Sequence, residues 1–91
     1  MRTKEESIKI LSDMTRKHMQ AHGRSFYVTG HVEYHDTTYR VYDTGFSDLA
    51  GEKGKLFFRI VKGWSEYEVL AEDFTAEELS NIVDSTIQLY K

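Results

Sequence analysis

From Arg24 to Thr44 the chain reads RSFYVTGHVEYHDTTYRVYDT, and its apolar residues recur with a period of two. Phe26, Val28, Val32 and Tyr34 share one parity, joined beyond a short polar break by Tyr39 and Val41. Tyr27, Thr29, His31, Glu33 and His35 share the other, joined by Arg40, Tyr42 and Thr44. Successive side chains of a strand point to opposite faces, so this parity predicts a hairpin with one buried and one wetter face. The break His35-Asp36-Thr37-Thr38 lacks glycine. That favours a type I turn in a longer loop over a tight primed two-residue turn. Gly30 sits mid-strand on the apolar parity, which predicts a bulge or the close approach of a helix backbone.

A one-sided hairpin needs apolar partners, and both ends of the chain supply them. Thr3-Lys4-Glu5-Glu6 has the form of a capping box. Ile8, Ile10, Leu11, Met14, Thr15, His18, Met19, Ala21 and His22 then fall on one side of a helix, and Gly23 can close it in the left-handed conformation. Thr75-Ala76-Glu77-Glu78 is a second capping box, with Phe74 placed to staple against Leu79. Leu79, Ile82, Val83, Thr86, Ile87 and Tyr90 form the stripe of this C-terminal helix.

Between hairpin and second helix, Gly45 to Gly54 carries three glycines and no periodicity and is read as a loop, with Phe46 and Leu49 tucked against the core edge. Lys55 to Lys62 reads as a third strand, Gly63-Trp64-Ser65 as a turn, and Glu66 to Asp73 as a fourth strand. The order is αββββα over residues 1–91, read as a single domain. It predicts a two-layer α+β fold: a four-stranded antiparallel meander sheet with the N- and C-terminal helices packed on one face. A small closed barrel with flanking helices is the alternative.

Composition narrows the function classes. The chain has no Cys, so it has no disulfide framework, thiolate metal site or thiol nucleophile. A formal charge of −3 argues against a nucleic-acid footprint. No apolar run is long enough to cross a membrane, and Met1-Arg2-Thr3 leads straight into a charged segment, unlike a signal peptide. The expected location is cytoplasmic.

Three groups of residues carry possible chemistry. Val41-Tyr42-Asp43-Thr44-Gly45-Phe46-Ser47 resembles the active-site turn of retropepsin-like aspartic proteases. That resemblance implies a dimer in which two copies of Asp43 share a proton and activate water. The family's later apolar pair followed by Gly has no match in register, since Ile60-Val61-Lys62-Gly63 is off by one residue. Read without the resemblance, Asp43 ends a strand and Gly45 opens a loop. His18 and His22 are spaced to place two imidazoles on one metal, or to serve as a part-buried histidine and a helix-end histidine.

The third group is the polar parity of the sheet. Tyr27, His31, Glu33, Arg40 and Tyr42 of the hairpin, with His35 beyond, share it with Phe57, Arg59, Val61 and Leu70 of the later strands. A face mixing Tyr, Phe and Arg has the composition of a protein interface. Glu66, Glu68 and Glu72 on the same parity would repel phosphates. The expected function is therefore a small non-catalytic interaction domain with no cofactor. It would use this face to form a homodimer or bind a protein partner, as accessory or inhibitor proteins of phages and mobile elements do. A dimeric aspartic protease, and a nucleic-acid or small-ligand binder, are the alternatives.

Overall fold

The computed structural model describes residues 1–23, 26–47 and 54–91. Helix α1 spans Lys4–His22. Strands β1 (Phe26–Tyr27), β2 (His31–Tyr34), β3 (Thr37–Ser47), β4 (Lys55–Lys62) and β5 (Ser65–Leu70) follow. A short 3₁₀ turn at Ala71–Asp73 leads into helix α2, Ala76–Leu89. All strand pairs are antiparallel, with β3 central to the β1-β3-β4-β5 order and β2 also pairing with β3. The two-layer α+β arrangement expected from the sequence is present.

The helices start and stop where their caps dictate. Thr3 accepts from the Glu6 N–H at 3.1 Å, and Glu6 accepts from the Thr3 N–H at 3.0 Å. Gly23 ends α1 at φ 67, a conformation costly for a side chain with a Cβ. Thr75 and Glu78 repeat the reciprocal pair at the start of α2. Both helices bury their apolar sides on one sheet face. Leu11 from α1 and Leu79, Ile82 and Val83 from α2 join Val32, Val41, Phe58, Ile60 and Val69 in a single core cluster. Burying each side chain of this size is worth about 1.5–3 kcal/mol relative to exposing it. Ile87 and Tyr90, expected in the α2 stripe, are exposed instead. They lie at the C-terminal end of α2, and the Tyr90 hydroxyl reaches back to donate to the Tyr27 carbonyl at 2.7 Å.

The sheet departs from the expected meander in four places, each with a local cause. The first expected strand is two short strands, because Gly30 at φ 151 breaks the run. A Cβ at position 30 would lie 2.8 Å from the Ile82 side chain, so the glycine admits α2. The β2–β3 turn is a tight two-residue one after all. His35 and Asp36 occupy it at φ 50 and φ 59, the left-handed region that these residue types enter more readily than most. Strand β3 runs on through Gly45 to Ser47, so Asp43 does not end a strand and Gly45 does not open a loop. Leu49 lies outside the described residues, while Phe46 packs on the core edge under the Arg16 guanidinium. The fourth expected strand stops at Leu70, because Ala71–Asp73 turns the chain from the sheet layer to the helix layer.

A bulge in β3 repositions more residues than any other feature. Val41 pairs with Ile60, but Asp43 pairs with Arg59, leaving Tyr42 as the extra residue. Beyond it the parity is reversed. Thr44, expected on the polar parity, faces the helices and is buried. Its hydroxyl lies 2.8 Å from that of Thr15. Thr15 commits its one hydroxyl proton to the Leu11 carbonyl, so Thr44 is the donor of the pair.

The two sides of the sheet end differently. Residues Glu78, Ile82, Thr86 and Tyr90 recur every four positions along α2 and run beside β1 and β2. Glu78 accepts from the Glu33 N–H at 2.8 Å, and Thr86 from the Thr29 N–H at 3.3 Å. Peptide groups that an edge would leave bare are thus taken up by one helix. On the opposite side, among the described residues, β5 pairs only with β4.

Candidate functional site

The sheet face opposite the helices carries every residue of the expected binding face. Cross-strand pairing sets them side by side. His31 opposes Arg40, which opposes Val61; Glu33 opposes Thr38; and Phe57 opposes both Gly45 and Leu70. Thr38 donates a hydrogen bond to Glu33. Tyr27 and Tyr42 meet edge to face with ring centres 5.3 Å apart, and the Arg40 guanidinium lies 5.6 Å from the Tyr42 ring centre. The Phe57 ring lies on Gly45, where a Cβ would come within 2.8 Å of it. Gly45 is therefore a landing place for an aromatic ring.

The bulge adds a residue to this face that strand parity, carried past Val41, would put with the core. Asp43 sits at its centre between Tyr27 and Arg59, yet is only 4% exposed. Its Oδ1 is buried without a hydrogen-bond partner among the described residues. Its Oδ2 lies 3.7 Å from Arg59 Nη1, beyond hydrogen-bond length. The same guanidinium stands 3.8 Å from Glu66 and 4.0 Å from Glu68, and its Nε also has no hydrogen-bond partner among the described residues. One positive charge is thus shared among three carboxylates, and none of them is hydrogen-bonded to it. Burial pushes the Asp43 carboxyl above its ordinary value; Arg59 opposes this, while Glu66 and Glu68 reinforce it.

Compared with known proteins, the chain matches no family model, no curated protein and no solved structure. The candidate site therefore stands on its own geometry.

The other sequence candidates fall elsewhere. Asp43-Thr44-Gly45 is strand, hydrogen-bonded in register to β4, with Thr44 tied into the core. The active-site turn that the protease resemblance implied is not formed by these residues. The His18 and His22 rings lie tilted against each other with centres 4.6 Å apart near the end of α1, and His18 also packs on Phe26. Among the described residues no group of three or more His, Cys, Asp or Glu is gathered for a metal ion. His35 is a turn residue whose ring packs on Tyr34, away from the His31–Arg40 pair. No described helix is long and apolar enough to cross a membrane. Sequence reasoning missed the place of Asp43, because a one-residue bulge leaves no mark in an alternating pattern. It also missed the fully exposed Trp64 at the β4–β5 tip.

Proposed function

We propose that this chain is a small non-catalytic interaction domain that binds a protein partner through its open sheet face. The observation that carries this reading is the centre of that face. Asp43 Oδ1 and Arg59 Nε there have no hydrogen-bond partner among the described residues, on a face shared with Tyr27, Tyr42, Phe57, Val61 and Leu70. Buried polar groups are normally satisfied, and a donor from a protein seated on this face would satisfy the carboxylate. Aromatic and Arg-rich surface around a desolvated centre is also where interface energy concentrates.

The test is assembly. The wild-type chain should form a defined complex in sedimentation, with a partner protein or with a second copy. Val61→Glu, which places a charge on the open face without touching the core, should abolish that complex while the melting temperature is kept. A chain that is strictly monomeric at high concentration and recovers no partner would overturn the reading, as would a complex unaffected by Val61→Glu. Peptide hydrolysis that disappears in Asp43→Asn would instead make the aspartic-protease reading primary.

A further inference from the structure

The unequal edges of the sheet point to how a partner engages it. We propose that the outer edge of β5, unpaired among the described residues, accepts an extended protein segment alternating between basic and apolar residues. The basic side chains would lie beside Glu66 and Glu68 and the apolar ones beside Tyr67 and Val69. The inference rests on the interaction-domain reading and names the partner chemistry for that face.

The hydrogen-bond pattern identifies which β5 groups are on offer. Gly63 and Trp64 are adjacent residues joining β4 to β5, and the strands pair from Lys62 and Ser65 onward. No bonds can form between the turn residues themselves, so Lys62 and Ser65 must exchange both bonds. Bonded and non-bonded pairs alternate along an antiparallel ladder. Tyr67 and Val69 therefore bond to β4. Glu66, Glu68 and Leu70 turn their N–H and C=O groups to the free edge. Those three residues also place their side chains on the open face, opposite Val61, Arg59 and Phe57.

Charge decides the occupant. In an added strand, the residues directly opposite Glu66 and Glu68 share their face. Arg59 does not satisfy these two carboxylates, since it stands 3.8 and 4.0 Å away and is also shared with Asp43. A second copy of β5 would set glutamates beside glutamates, which is how native edges deter self-pairing. Basic residues at alternate positions relieve the excess. On the other face, Val69 is buried and Tyr67 is partly open, which suits apolar neighbours. The opposite edge of the sheet is already occupied by α2.

The probe is a synthetic peptide of alternating lysine and valine, about ten residues long and thus the length of a strand. It is added to the full chain at low salt, with an alternating glutamate–valine peptide as control. The lysine–valine peptide should slow hydrogen exchange at the Glu66, Glu68 and Leu70 amides, and the control should not. Glu66→Gln combined with Glu68→Gln should weaken binding between about twofold and about thirtyfold, the range for two surface charge pairs. Leu70→Pro should abolish binding. Leu70 already has φ −64, which proline adopts, and its N–H faces the free edge. Leu70→Ala trims the same side chain, keeps the N–H and should still bind. Equal binding of the control peptide, unchanged edge amides, or equal binding by Leu70→Pro and Leu70→Ala would overturn the proposal. A protein complex lost in Val61→Glu but intact in Leu70→Pro would overturn the edge while leaving the face.

Discussion

Burial and charge pull Asp43 in opposite directions, and burial wins. Its carboxyl is raised first by desolvation, with Arg59 opposing and Glu66 and Glu68 adding to the rise. The folded chain therefore holds this proton more tightly than the unfolded chain, where an aspartate titrates near ~3.9. For an acid raised in this way, the stability it contributes is fully present below the unfolded value and is lost as pH rises through the folded one. The amide that replaces the carboxyl in Asp43→Asn does not titrate. The melting temperature of the wild type minus that of Asp43→Asn should fall as pH rises from below the unfolded value through the raised folded one, then level off. Taking the difference cancels the carboxylates remote from Asp43. A difference that grows with pH would mean that Arg59 stabilises the ionised carboxylate, and the unsatisfied centre would have to be abandoned. The same residue shows what strand parity cannot carry. Alternation placed Thr44 with the polar side and, carried past Val41, would put Asp43 with the core; one extra residue at Tyr42 reverses both. A bulge conserves composition and shifts only register, so it is invisible in a single sequence.

At the scale of elements, α2 has two supports that act through different terms. Thr75 caps it with Glu78 returning the bond, and Leu79 is fully buried in the same core cluster as Phe74. Thr75→Ala removes a cap and should cost ~1 kcal/mol. Leu79→Ala leaves a cavity and should cost about 2–5 kcal/mol. In a domain whose total stability is about 5–15 kcal/mol, the second loss is the dangerous one. Thermal melts should show a modest drop for Thr75→Ala and a much larger one for Leu79→Ala. Equal, negligible drops would mean that the helix is not docked. Both helices with their caps, and the buried side of α2, were legible because capping boxes and helical periodicity are local signals; in α1 the expected stripe missed the buried Ser7 and Ser12 and included Met19, Ala21 and His22, which are exposed. So was β4, and so was Gly30 as a close approach. The β2–β3 turn was not, since His35 and Asp36 adopt left-handed backbone without the glycine that advertises it. The end of β5 was also hidden. Ala71 keeps the buried parity of Val69, although the chain has already left the sheet.

Across the whole molecule, asymmetry is the property that matters for function. Two helices cover one sheet face, and α2 also closes the β1–β2 edge. The other face, with its aromatic ring and unsatisfied centre, and the β5 edge have no cover among the described residues. Exposed Ile87 and Leu89 on α2 and Met19 on α1 offer a rival apolar surface on the helix side. Side-chain NMR of the assembled complex separates the two directly. The account predicts that the resonances of Tyr27, Tyr42, Phe57, Val61 and Leu70 shift on assembly while those of Met19, Ile87 and Leu89 stay in place. Shifts confined to Met19, Ile87 and Leu89, with the sheet-face residues unmoved, would contradict it.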